Sequence, residues 1–152
     1  MSGKGEWYVV AQAVLMPAAL LAPVLGVRSA SWPGTVVVGG VLLAVAGLGV
    51  AALASLALGR RSLSPFPKPR TGATLVQHGV FSVIRHPIYS GLTVFVLGWG
   101  LVWSSVATVA GALVLLVFFD VKARREERWL EAKFAGYAAY KGRVKKLIPL
   151  IY

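Results

Sequence analysis

Residues 35–58 read TVVVGGVLLAVAGLGVAALASLAL, a run without one charged side chain. An uninterrupted apolar stretch of this length reads as a membrane-crossing helix rather than as the core of a soluble domain. Gly47, Ala51 and Ser55 recur in it at every fourth residue. Small side chains at that spacing form a ridge on which another helix can approach closely.

Apolar stretches flank this run on both sides. Residues 7–26 have the length of a span and carry Pro17 and Pro23, each of which removes a helix N–H and kinks the axis. Lys4 beside Glu6 is a weak positive start and the run is long for the apolar part of a signal peptide, so a retained span is expected. A polar turn over 28–34, with Arg28 and the interfacial Trp32 before Pro33-Gly34, leads into 35–58. Residues 88–119 are too long for one span, and Ser104-Ser105, after Trp99 and Trp103, divides them into helices at 88–103 and 105–119. Each covers only ~22–24 Å, so tilt or local thinning of the bilayer is expected.

Residues 59–87 form a basic connector in which Pro65, Pro67 and Pro69 forbid a continuous helix through the first half. The tail, 120–152, is charged and helical in pattern up to Gly136 or Gly142. It closes on the apolar patch LIPLIY at 147–152, expected to return to the membrane surface or to pack on the helices. The fold class that follows is all-α and integral to the membrane. A single domain, 1–152, has about four transmembrane helices with a cytosolic connector and a C-terminal helix.

Composition agrees with this architecture. Of the residues 57% are hydrophobic and 14% charged, and the mean hydropathy is +0.74. The net charge of +11 would suggest nucleic acid in a soluble protein. Here the basic residues gather at the ends of apolar runs, nearly all in the connector and the tail, so no nucleic-acid partner is expected. The same asymmetry puts both termini in the cytoplasm. The alanine-, valine- and glycine-rich composition fits a bacterial inner membrane. With no cysteine there is no disulfide, thiolate metal site or cysteine nucleophile, and with only His78 and His86 no metal centre is expected. An oligomeric state is not legible.

Two charged constellations remain. Arg85-His86-Pro87-Ile88-Tyr89, followed by Gly91, stands where the connector enters a membrane helix. Pro87 suits a first helical turn, and the free N–H groups there, with Arg85 and His86, make an anion site. The plainer reading is a membrane-edge anchor, since Arg, His and Tyr are common at interfaces. The second constellation is Glu126-Glu127, which on its own reads as a solvated helix face with pairs such as Lys122–Glu126. Acids are scarce in this chain, however, and these lie on the same side as Arg85-His86. Taken together they describe a pocket with a positive end, a negative end and aromatic rings. A zwitterionic amino acid joined to a nucleoside matches such a pocket, and that class includes S-adenosylmethionine.

The stretch GVFSVIRHPIYSG at 79–91, followed after an apolar hairpin by Glu126-Glu127, resembles the isoprenylcysteine carboxyl methyltransferase and phospholipid methyltransferase family. The family's mark is R-H-P-x-Y-x-G, a hydrophobic stretch and then E-E. Leu130, Phe134, Tyr137, Tyr140 and Ile148-Pro149 are similar to its C-terminal pattern, and the resemblance covers roughly residues 72–152. Two departures bear on the acceptor more than on the cofactor. Val80-Phe81 stands where Pro-Tyr is usual, and Phe134 to Tyr137 is one residue short.

The resemblance implies S-adenosylmethionine-dependent methyl transfer to a lipophilic acceptor in the membrane, an isoprenylcysteine-like carboxylate or a phospholipid amine. It implies a cofactor site made by Gly79, Arg85, His86, Pro87, Tyr89, Gly91, Glu126 and Glu127. Arg85 and the helix start at Pro87 would hold the cofactor carboxylate or an acidic acceptor, and a carboxylate of 126–127 the cofactor ammonium. Arg85 and Glu127 are the expected catalytic residues, with Glu127 or His86 as base for an amine acceptor. Gly91 would permit close helix packing.

Two alternatives stay open. A sterol or enone reductase using NADPH has a similar Arg-His-Pro-x-Tyr segment and would use the basic tail. A small multidrug-type transporter would suit four short helices, although transporters usually carry an ionisable residue at mid-membrane, and no charge falls inside these spans.

Overall fold

Pro23 has no N–H for the carbonyl of Ala19, and the first helix stops there: α1 runs Glu6–Leu21 and the chain turns through residues 22–26. The architecture is that of a computed structural model describing residues 5–26 and 31–152. The expectations placed on Lys4 and Arg28 lie outside the described residues. Two carbonyls left free at the end of α1 are taken up by other helices. Thr108 Oγ1 donates to Ala19 O at 3.0 Å, and Trp99 Nε1 donates to Leu20 O at 3.1 Å. In a bilayer such exchange is obligatory, because no water is there to accept the bond.

Helix α2 (Gly34–Ser62) follows Pro33 and holds regular geometry until Gly59, where φ of 63° and ψ of 173° break it before the connector. Helix α3 (Pro87–Val102) begins on a proline, and α4 (Val106–Lys133) follows a tight turn whose Ser105 Oγ accepts from Thr108 N. A short α5 (Tyr137–Arg143) completes the helices, and a 3-10 turn, Gly79–Ser82, interrupts the connector. Among the described residues there is no β-sheet; one parallel bridge joins Ile84 to Lys145. Helices α2 and α4 are long and apolar enough to cross a membrane, and α1 and α3 are shorter apolar helices. Leu42, Leu56, Leu113 and Val117 are exposed on the outer faces, as lipid-facing side chains are.

The helix of the fourth apolar run continues beyond residue 119. Helix α4 continues through the charged segment to Lys133, because no glycine or proline interrupts 112–133 and Asp120 braces Arg124 one turn on at 2.7 Å. The apolar part, 106–119, thus passes without a break into a polar half that carries Glu126 and Glu127.

The small-residue ridge on α2 packs against α3. A β-carbon on Gly91 would meet Gly47 O at 2.5 Å and Ala51 N at 2.8 Å, so α3 touches the α2 backbone there. Two turns on, Gly98 meets Gly40 and Ala44 in the same way. The ridge therefore extends toward the start of α2, whereas the hydroxyl of Ser55 folds back onto Ala51 O at 2.8 Å. Helices α1, α3 and α4 enclose a core of Ala19, Val96, Ala112, Leu115 and Phe119. These contacts hold the first turn of α3 beside the polar half of α4.

Candidate functional site

From an extended His78 the chain passes through the 3-10 turn and a bend at Arg85, and α3 starts with Pro87 at its first position. A second segment fixes this entry. Arg85 N donates to Lys145 O at 2.8 Å and His86 N to Lys146 O at 3.1 Å. Ser90 Oγ donates to Leu147 O at 2.6 Å, and Tyr140 OH, buried, to Phe81 O at 2.6 Å. Burial pushes the Tyr140 phenol up to about 12, so it remains a donor. The backbone N–H groups of Arg85 and His86 are therefore occupied by carbonyls of the tail.

The two motifs meet. Arg85 Nε donates to Glu127 Oε1 at 2.9 Å, and its Nη1 reaches Lys141 O at 3.1 Å and also Val144 O. His86 Nε2 lies 3.2 Å from the same Glu127 oxygen, and Lys141 Nζ lies 3.4 Å from the other. Glu127 is only 3% exposed. Burial alone would raise its pKa, but the hydrogen bond and charge of His86 and those of Arg85 outweigh it and hold the carboxyl at about 2. Glu126 turns the other way. Its Oε2 accepts from Tyr89 OH at 2.8 Å and lies 3.7 Å from His86 Nδ1. Tyr89 stacks between His86 and Phe119, with ring centroids 5.5 and 4.8 Å away.

Above these groups is a cavity of about 350 Å³, within the range of small-molecule sites. Arg85, His86, Pro87, Tyr89 and Glu126 line it; Glu127 supports them from behind. Gly79 and Gly91 do not line it. Gly79, at φ of 60°, turns the chain into the 3-10 segment, and Gly91 serves the α2 contact. The acidic pair thus divides: Glu126 faces the cavity, while Glu127 anchors Arg85 and His86. Among the described residues no group of three or more metal-ligating side chains gathers.

Further wall residues escaped the sequence. Gln12 on α1 and Lys122 on α4 both line the cavity, and Lys122 Nζ donates to Gln12 Oε1 at 2.6 Å. The expected Lys122–Glu126 pair does not form, because Lys122 turns to α1 and Glu126 to α3. A single glutamine inside an apolar helix was the available signal. Tyr137, 1% exposed, also lines the cavity, and among the described residues its hydroxyl has no hydrogen-bond partner.

Residues 35–136 match the family model described as phospholipid methyltransferase. The chain belongs to the phospholipid methyltransferase family. Over 147 residues, 95% of its length, it is 34% identical to the cobalt-zinc-cadmium resistance protein CzcN of Cupriavidus metallidurans, of which it covers 62%. Over 79 residues, 51% of its length, it is 35% identical to the protein-S-isoprenylcysteine O-methyltransferase of Schizosaccharomyces pombe, covering 34% of that protein. The fold is similar to that of a eukaryotic intramembrane Ras methyltransferase, isoprenylcysteine carboxyl methyltransferase. That match has a TM-score of 0.66 and 20% identity, over 99% of this chain and 55% of the other. The chain thus spans between a third and two thirds of the length of these relatives. Both halves of the motif lie within the residues that match the phospholipid methyltransferase family, and α1 lies outside them.

Proposed function

We propose that the protein is an S-adenosylmethionine-dependent methyltransferase acting on a lipophilic acceptor held in the membrane, with the polar end of the helices and both termini on the cytoplasmic side of a bacterial inner membrane. Family membership supports the reaction class, and the basic connector and tail support the orientation.

The observation that carries the reading is the cavity wall formed by Glu126, Tyr89, His86 and Tyr137. An ionised carboxylate suits an ammonium or sulfonium, flat rings suit an adenine, and a buried hydroxyl without a partner needs one from a ligand. The residues present therefore fit the cofactor. Glu126, Tyr89, His86 and Tyr137 would hold S-adenosylmethionine there, and it would supply an electrophilic methyl group to the acceptor.

Glu126 holds the cofactor ammonium, fixed in place by Tyr89. Glu127 keeps Arg85 and His86 in position and does not touch the ligand. Its Oε1 lies 3.2 Å from His86 Nε2, while His86 Nδ1 faces Glu126 Oε2 at 3.7 Å. A carboxylate acceptor requires no base, whereas an amine acceptor must lose a proton, and His86, on the cavity wall, is the nearest candidate to take it. The work of the site is chiefly to orient two reactants and exclude water.

Isothermal titration of S-adenosylhomocysteine into detergent-solubilised protein, with NADPH in parallel, tests the reading. Micromolar binding that disappears in Glu126→Ala and His86→Ala is expected. Binding of NADPH without S-adenosylhomocysteine would replace the proposal with a membrane reductase.

A further inference from the structure

Lys122 is 1% exposed, yet among the described residues no carboxylate lies within ion-pair distance of its ammonium. Its partners are neutral: Gln12 Oε1 at 2.6 Å, and the face of the Tyr89 ring, 5.2 Å to the centroid. An ammonium carries three donors, and Gln12 takes one. A buried cation with no carboxylate in direct contact, only Glu126 acting from farther off, is costly, and near a membrane such a group generally marks a ligand path. This cation lines the cavity. Its position along α4 indicates which ligand it serves. Lys122 sits one turn nearer the apolar half than Glu126, a rise of ~6 Å. Leu58 and Leu92 on the cavity wall continue the apolar surface.

We infer that Lys122, aimed by Gln12 of α1, is the docking point for an anionic head group, carboxylate or phosphate, on the lipophilic acceptor. The inference rests on the methyltransferase reading for the word acceptor, and on the geometry alone for the anion. Polarity along the polar half of α4 then sorts the two ligands. The acidic residue at 126 takes the cationic cofactor, and the basic residue one turn deeper takes the anionic lipid. Helix α1, outside the part of the chain that defines the family, contributes the residue that holds the selector in place.

The test is binding of tetradecanoate, tetradecyl phosphate, tetradecanol and tetradecylammonium to the detergent-solubilised protein, with and without S-adenosylhomocysteine. Either anion should bind about tenfold tighter than the alcohol, as a charge-assisted contact predicts. The tighter of the two anions names the head group. In Lys122→Met the anion-to-alcohol ratio should fall to within about twofold of unity. Lys122→Arg should keep the ratio, and Gln12→Leu should lower it about threefold. No anion preference in the wild type, or the same preference in Lys122→Met, overturns the inference. Should Lys122→Met fail to fold, an unaltered ratio in Gln12→Leu overturns the role of α1, and the wild-type series still decides the anion. If S-adenosylhomocysteine does not bind but the Lys122-dependent preference persists, the methyltransferase reading fails and the anion site stands.

Discussion

Arg85, at the entry to α3, lies against Glu127 on α4 with Nε 2.9 Å from Oε1, both side chains less than a tenth exposed. This pair, 42 positions apart in sequence, locks the two halves of the motif together. Removing one partner leaves a buried charge only partly compensated, a loss on the order of 3 kcal/mol. Arg85→Ala should therefore melt about 6–12 °C below the wild type in detergent. An unchanged melting temperature would mean that His86 and Lys141 suffice to hold Glu127.

Acid should weaken the same contact. Glu127 is held at about 2, below the usual 4.5 for its type, so the stability it contributes is fully present above the ordinary carboxylate range and is lost as pH falls toward 2. Between about pH 5 and 2 the wild type should lose up to about 3 kcal/mol more than Glu127→Gln. Parallel melting curves across that interval check it; identical slopes for the two proteins would refute it. From pH 5 to 8 Glu127 should impose no limb on S-adenosylhomocysteine binding.

Tyr89 steadies the carboxylate that faces the cavity. Tyr89→Phe removes the 2.8 Å bond to Glu126 but keeps the stacked ring. S-adenosylhomocysteine affinity should drop about tenfold while the melting temperature changes by only a few degrees. Equal affinity in the two proteins would separate Glu126 from ligand binding.

Where α3 crosses α2 there is no room for a side chain. Gly91→Val should destabilise by about 3 kcal/mol or more, since the helices must part. Gly49→Ala, on an open face of α2, should be neutral or slightly stabilising. Thermal melts of the two variants give the comparison, and similar values would show that the helices are not in contact at Gly91.

Most of the helical framework can be read from the apolar runs, because their boundaries are set by prolines, glycines and charges that act locally. The meeting of Arg85 and His86 with Glu126 and Glu127 was legible only through the paired motif. What stayed hidden depends on contacts between distant elements. The continuation of α4 past Phe119 follows from the absence of a breaker, a weak signal beside the abrupt onset of charge. The division of labour between Glu126 and Glu127 turns on which side of one helix each carboxylate takes, and Tyr89, Arg85 and His86 decide that. Gln12 and Lys122 each have an ordinary local explanation, and only the packing of α1 on α4 joins them. Tyr137 needs its neighbours to be known before its hydroxyl can be found without a partner.

The backbone pairing of Arg85 and His86 with Lys145 and Lys146 also fixes an order of assembly during synthesis. The helices can pair in the bilayer as they emerge, since α2 and α3 meet through residues long since translated. The carbonyls that fix the entry to α3 come only after Arg143, once the fifth helix has been made. A ribosome halted before Lys145 would therefore leave an inserted bundle in which the entry to α3, and with it the cavity wall at Arg85 and His86, is not yet fixed.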